Sequence, residues 1–217
     1  MVHDPRSPET LVRAARSAGV TDARLLEAVR TIPRADFVPD DEVDAAYWDS
    51  PLPLPCGQTT TQPSLVAMMV SALDLAGDER VLEIGTGYGW QTALLARLAG
   101  RVVSVERRPE LVAQARRRLA AHGFGAVEVI LGDGTLGAPH AAPYDGVIVC
   151  AAFPEVPEPL VEQLRIGGRL VQPVGPGGQE LVELYERRPE GLEPVRTLVS
   201  ARFVRLYGAH GYDEGRS

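Results

Sequence analysis

Val81-Leu82-Glu83-Ile84-Gly85-Thr86-Gly87-Tyr88-Gly89-Trp90 is a short apolar strand that breaks into three alternating glycines and then enters a helical pattern. Glycine lets the backbone turn through conformations closed to other residues, and it lets a ligand approach with no Cβ in the way. The helix that follows turns its unpaired N–H groups toward the same place. Val102-Val103-Ser104-Val105 then reads as a second buried strand. Glu106 stands at its end, 17 residues after Gly89, where a nucleotide-binding βαβ unit carries its ribose-binding acid.

A dinucleotide fold is the obvious competitor, and the spacing argues against it. Its fingerprint needs a third glycine three positions after the second, and Trp90 stands there. An indole at that point blocks the close approach of a pyrophosphate. The expected ligand therefore carries a nucleoside without a pyrophosphate, which points to S-adenosylmethionine. Glu83, two residues before Gly85, is placed to meet the ammonium group of a methionine moiety, and Glu106 to take the ribose hydroxyls. Asp133, in Gly132-Asp133-Gly134 directly after an expected strand at 127–131, is either placed to accept from the adenine amino group or is a surface acid in a turn. A merely structural tight turn would explain the glycines alone, but not three acids at three strand ends.

Composition narrows the function classes. With 217 residues and 45% hydrophobic content, the chain can build one substantial core with a small appendage. The expectation is a soluble, cytoplasmic protein, because no run of 18 apolar residues occurs and Met1-Val2-His3-Asp4-Pro5 has no basic flank before an apolar stretch. Cys56 and Cys150 are far apart and form no ligand-type spacing, so neither a disulfide framework nor a metal site is expected, and both read as ordinary small residues. All 22 basic residues are arginine, which removes lysine chemistry altogether. A net charge of −7 with no basic block disfavours nucleic acid as a partner. Arg116-Arg117-Arg118 is the exception, and on a helical pattern it reads as a solvated face.

In chain order, residues 8–18 and 22–31 carry apolar residues at helical spacing, with Thr21 or Asp22 as cap of the second helix and Pro33 ending it. Tyr47 and Trp48 read most simply as anchors that pack this extension onto the domain, with a substrate contact as the alternative. Residues 51–63, with prolines at 51, 53 and 55, are expected to lack regular structure. Thr59-Thr60-Thr61 in that loop are either capping residues or hydroxyls suited to holding a carboxylate. Helices are expected at 64–75, 91–98, from Pro109 to Gly123, and at 157–164. Strands are expected at 127–131, 147–150, 169–173, 181–186 and 198–206. Repeated strand-then-helix order implies a doubly wound α/β fold with a mainly parallel sheet covered on both faces. Ligands belong at the C-terminal edge of its strands. The division is an N-terminal helical extension and loop at 1–63, a sheet domain at 64–207, and a loose tail at 208–217.

These residues resemble a known family, the protein-L-isoaspartate (D-aspartate) O-methyltransferases. The resemblance runs from about Leu25 to Leu206 through Ile32-Pro33-Arg34-Ala35-Asp36-Phe37-Val38-Pro39, Pro51-Leu52-Pro53, Gly57-Gln58-Thr59, Gln62-Pro63, Val81 to Gly89, Gly132-Asp133-Gly134 and Gln163-Leu164-Arg165-Ile166-Gly167-Gly168-Arg169-Leu170. It implies the Rossmann-like methyltransferase type of α/β fold, S-adenosylmethionine as cofactor, and isoaspartyl proteins or peptides as substrates; a monomer is expected, though the sequence does not encode the oligomeric state legibly. The family's active-site serine falls at Thr61, which keeps the hydroxyl and adds a methyl group. The set expected around the cofactor is Gln58, Thr59, Glu83, Gly85, Gly87, Gly89, Glu106, Arg107, Asp133 and Gly134, with no metal. Pro55-Cys56 and Phe153 depart from the family pattern, and both are expected to flank the substrate mouth. Two rival readings stay open from sequence: an aspartyl methyltransferase acting on a dedicated peptide, and a cofactor-binding protein without catalysis.

Overall fold

The computed structural model describes residues 7–176 and 178–213. Helix α1 (Pro8–Ser17) buries Leu11, Val12 and Ala15, and α2 (Ala23–Thr31) buries Leu25, Leu26, Ala28 and Val29. Asp22 caps α2 by accepting from the Arg24 N–H at 2.8 Å. Both helices pack on α3 (Pro63–Ala72), which is apolar nearly all round because neighbours cover it on several sides. The extension shares one hydrophobic cluster with Val81, Trp90 and Ile148 of the sheet domain. Position 63 is thus a boundary of connectivity, with packing continuous across it.

Seven strands form the main sheet, in the order β5-β4-β3-β6-β7-β8-β9. Strands β3 (Arg80–Ile84), β4 (Arg101–Glu106), β5 (Glu128–Leu131), β6 (Tyr144–Val149) and β7 (Leu164–Val174) run parallel. Strands β8 (Glu180–Arg188) and β9 (Gly191–Ala201) follow antiparallel. Helices α4 (Trp90–Leu98), α5 (Pro109–Ala121) and α6 (Glu158–Gln163) make the connections. The chain crosses from β3 outward to β4 and β5, then returns to pair β6 on the other side of β3. That reversal opens a crevice above the C-terminal ends of β3, β4 and β6, where ligands of open α/β sheets bind.

Several expectations need correction. The 51–63 segment contains a two-stranded antiparallel hairpin, β1 (Pro53–Leu54) with β2 (Gln58–Thr59). Its turn holds Cys56 at φ 62° and Gly57 at φ 67°, which is how three prolines and a pair of strands coexist. The last strand ends at Ala201 and begins at Gly191, a polar edge strand that tolerates Pro194 because its outer side pairs with nothing in the sheet. The Arg116-Arg117-Arg118 run is only partly a solvated face. Arg116 donates to the Val129 carbonyl, and Arg118 lies 4.5 Å over the Tyr88 ring and donates to the Asp36 carbonyl. Trp48 is 58% exposed, so its ring does not pack the extension onto the domain. Trp90 does the anchoring instead, donating through Nε1 to the Ile32 carbonyl at 3.2 Å.

The tail is not loose over its described part. Gly208–Asp213 folds back on the sheet edge, where Ala209 N–H donates to Asp133 Oδ2 at 2.7 Å and His210 N–H to Thr135 Oγ1 at 3.1 Å. Residues 214–217 lie outside the described residues. Among the described residues no helix is long and apolar enough to cross a membrane.

Candidate active site

The crevice is walled by the glycine turn, by Glu106 at the end of β4, by Cys150 after β6, and by Gln58 to Thr61 of the hairpin. Gly85, Gly87 and Gly89 all have positive φ, at 95°, 56° and 94°, so each is required by the backbone itself. A Cβ on Gly87 would stand 3.3 Å from Leu54 Cδ1 of the hairpin, so the two walls approach closely there.

Glu106 is 6% exposed and its carboxylate is already oriented. Oε2 accepts from the Gly87 N–H and Oε1 from the Arg108 N–H, both at 3.0 Å. Each oxygen keeps a lone pair, since a carboxylate offers about four acceptor sites in all. A vicinal diol facing the crevice can therefore be held by both oxygens at once.

Glu83 does not reach the crevice. It is fully buried beneath it, accepting from Ser104 Oγ at 2.6 Å, from Gln91 Nε2 at 2.9 Å and from Thr92 Oγ1. The expectation that it meets the ligand directly is corrected by the strand pleat: its side chain points into the core layer covered by α4. Burial pushes its carboxyl from the ordinary 4.5 up to about 7, outweighing the lowering by its Ser104, Thr92 and Gln91 hydrogen bonds. Between those two values the folded carboxyl holds a proton that the unfolded one has lost. Its contribution to stability is therefore highest below the lower value and falls as pH rises through the upper one. Glu83→Gln cannot ionise, so its thermal midpoint should gain on the wild type between about pH 5 and about pH 8. A constant difference across that range would mean that the buried group does not titrate as described.

Arg107, Asp133 and Gly134 also stand outside the crevice wall. Arg107 lies 5.0 Å over the Tyr207 ring. Asp133 accepts from Thr135 N–H at 2.9 Å, from Thr135 Oγ1 at 2.7 Å and from Ala209 N–H. Burial pushes its carboxyl up, but these hydrogen bonds and the Arg107 charge win and hold it below the usual range. Gly134 is required by packing, because a Cβ there would overlap Ile84 Cγ2. Phe153 meets Tyr212 edge-on at 5.1 Å and supports the C-terminal segment; it is not part of the crevice wall.

Sequence reasoning missed two residues that the topology brings in. Arg34 is 1% exposed and ties the hairpin to the extension, donating to the carbonyls of Ala46 (2.9 Å) and Ser50 (3.1 Å) and to Thr60 Oγ1 (2.9 Å). Burial lowers it to about 10, so it stays cationic at neutral pH. Cys150 lines the crevice, yet burial and the nearby Glu83 charge push its thiol up to about 12. A thiol kept protonated is a poor nucleophile. Cys150 therefore does not compete for an electrophile held beside it.

The three threonines now separate. Thr60 Oγ1 is occupied by Arg34 and by the Leu52 N–H, and Thr59 is part of the hairpin pairing. Thr61 makes no side-chain hydrogen bond among the described residues. A second groove, lined by Pro51, Gln62, Leu65 and Ser200 to Val204, lies against the crevice. The two share Thr59, Thr60, Thr61, Cys150 and Val204 as a common wall. A free hydroxyl on that wall can serve a group that reaches across it.

The family model for protein-L-isoaspartate(D-aspartate) O-methyltransferases matches residues 6–211. The chain belongs to this family. A protein-L-isoaspartate O-methyltransferase of Methanoculleus marisnigri is 50% identical over 198 residues, covering 91% of this chain and 89% of that protein. One from Myxococcus xanthus is 51% identical over 193 residues, covering 88% and 91%. A solved protein-L-isoaspartate O-methyltransferase superposes with a TM-score of 0.82 at 30% identity, over 94% of this chain and 67% of that one. A Plasmodium falciparum protein solved with S-adenosyl-L-homocysteine superposes at 0.76 over 92% and 97%, and at 18% identity it bears on the fold alone.

Proposed function

We propose that the chain is a protein-L-isoaspartate O-methyltransferase that transfers a methyl group from S-adenosyl-L-methionine to the free carboxylate of isoaspartyl residues in damaged polypeptides. The observation that carries the assignment of its catalytic centre is Thr61, uncommitted and placed on the wall between crevice and groove. The crevice suits the cofactor on its own evidence: a Cβ-free turn, a pre-oriented carboxylate in Glu106, and a buried acceptor on Gln91 with no protein partner. When bound, S-adenosyl-L-methionine supplies a sulfonium methyl, which leaves while the electron pair of the C–S bond stays on sulfur.

The chain's own part is modest chemistry. A substrate carboxylate with pKa ~4 is ionised at neutral pH, so no general base is needed. Thr61 Oγ1 donates to one carboxylate oxygen and aims the other toward the crevice, and such positioning can supply ~7 kcal/mol of the barrier. Glu106 fixes the ribose, while Gln58 and Thr59 close the hairpin side. The ester formed on an isoaspartyl residue collapses to a succinimide by attack of the neighbouring backbone nitrogen, expelling methanol. Hydrolysis of that ring returns part of the material to normal aspartyl linkage, so repair needs no second site. On this reading the enzyme acts as a monomer in the cytoplasm and without nucleic acid, in keeping with its −7 charge.

Arg202 is the only charged side chain lining the groove among the described residues, and its Nε donates to the Gly178 carbonyl at 3.0 Å. We assign the rest of its guanidinium to contact with an incoming peptide. Arg202→Ala should raise KM for an isoaspartyl peptide several-fold, in line with ~1 kcal/mol or less for an exposed pair. KM for the cofactor should not move; an unchanged peptide KM would place the peptide elsewhere. Repair itself is tested by incubating an isoaspartyl peptide through many turnovers. Methanol release with accumulation of the aspartyl isomer is expected, and a stable ester with no isomer would contradict a repair role.

A further inference from the structure

We propose that Gln91 is the residue that receives the ammonium group of the cofactor's methionine moiety, with the buried Glu83 acting through it. This rests on the reading of the crevice as an S-adenosylmethionine site.

Gln91 sits in the first turn of α4, directly after the glycine turn, and lines the crevice. Its amide nitrogen faces inward, donating to Glu83 Oε1 at 2.9 Å and to Cys150 Sγ at 3.0 Å. Its amide oxygen is buried and has no hydrogen-bond partner among the described residues. Leaving such an acceptor unmet costs ~1–3 kcal/mol, which native proteins tolerate where a ligand or an ordered water completes the set.

The orientation of the amide is fixed from behind. Turned end for end, it would set a carbonyl oxygen against the Glu83 carboxylate and the Cys150 sulfur. Donation to Glu83 and Cys150 sets the nitrogen inward and leaves the oxygen as the uncommitted end of the amide. An alkylammonium is a donor with no acceptor, the complement of that oxygen. A cation on that oxygen and an ionised Glu83 one amide away favour one another, so the bound ammonium should draw off the proton that burial keeps on the carboxyl up to about pH 7. Glu106 occupies the neighbouring strand end and is committed to the ribose. This division of labour explains why an acid two residues before the glycines can matter to the ligand while never touching it.

The test is calorimetric binding of two ligands to the wild type, Gln91→Met and Gln91→Asn. S-adenosyl-L-homocysteine carries the ammonium; 5′-methylthioadenosine has the same nucleoside and thioether but no amino-acid tail. Gln91→Met should lose ten-fold or more in affinity for the homocysteine compound while methylthioadenosine binding stays within about two-fold, a difference of ~1.4 kcal/mol or more. Gln91→Asn keeps the amide and withdraws it by one methylene, so it should show the same selective loss in a chain that keeps its polar buried group. Thr92→Val removes a different Glu83 donor that does not face the crevice. Because it reaches the ligand only through Glu83, it should weaken S-adenosyl-L-homocysteine less than Gln91→Met does and leave methylthioadenosine unchanged. Equal loss of both ligands in the Gln91 variants, or no loss, would overturn the assignment. Failure of the wild type to bind either ligand would instead overturn the reading of the crevice.

Discussion

Thr61→Val should keep the folded shape yet lower turnover on an isoaspartyl peptide ten-fold or more, corresponding to ~1.4 kcal/mol of transition-state stabilisation. Valine replaces the hydroxyl with a methyl of similar size, and no protein group loses a partner, because none among the described residues bonds Thr61 Oγ1. A stability change of the order seen for a lost cap is therefore not expected. Thr61→Ser should be close to wild type, since it restores the hydroxyl at the same Cβ. Thr60 makes the contrast: its Oγ1 is shared by Arg34 and the Leu52 N–H, so Thr60→Val should cost stability by leaving both donors unmet. Initial rates and thermal unfolding of these variants separate the two roles. Near-normal turnover in Thr61→Val would remove Thr61 from the catalytic position.

Glu106→Ala should be the most damaging substitution for cofactor binding. Two charge-assisted hydrogen bonds to a ribose are lost at ~1.5–3 kcal/mol each, so affinity should fall by about two orders of magnitude or more. The same carboxylate also clamps the Gly87 and Arg108 N–H groups, so stability falls as well. Glu106→Gln distinguishes the effects. Its amide oxygen still accepts from one of the two N–H groups while its NH2 faces the other, so the turn keeps more than in Glu106→Ala, and the paired acceptors for a diol are gone. Affinity in Glu106→Gln should drop about as far as in Glu106→Ala with a smaller loss of thermal midpoint. Unchanged affinity in either variant would mean that the second strand does not end at the cofactor.

What the sequence made legible was local. The strand, glycine turn and helix at 81–98 are encoded within one short stretch, and so is the acid at the end of the next strand. The Asp22 cap and the helix breaks at Pro33 and Gly123 are equally local. Contacts between elements distant in sequence were not legible. Glu83 looked like a ligand residue because its neighbours Ser104, Thr92 and Gln91 come from β4 and α4, and only the register of β3 with β4 puts Ser104 beside it. Cys150 carries no motif, and reaches the wall of the crevice solely because β6 pairs β3. Asp133 was correctly placed at a strand end, but its coverage by Ala209 depends on a tail more than 70 residues later. The first part of strand β9 escaped because an exposed edge strand with a proline lacks the apolar alternation that marks a half-buried one. The resemblance to the family supplied what spacing alone could not, which of three neighbouring threonines to suspect. The geometry adds the reason, since Thr60 is spent on the loop and Thr61 is not.

The most direct measurement is methyl transfer from radiolabelled S-adenosyl-L-methionine to one peptide carrying isoaspartate and to its twin carrying normal aspartate. Label should enter the isoaspartyl peptide as a base-labile ester and leave the aspartyl peptide essentially unmodified. Equal labelling of both peptides, or labelling of neither while the cofactor binds, would contradict the account.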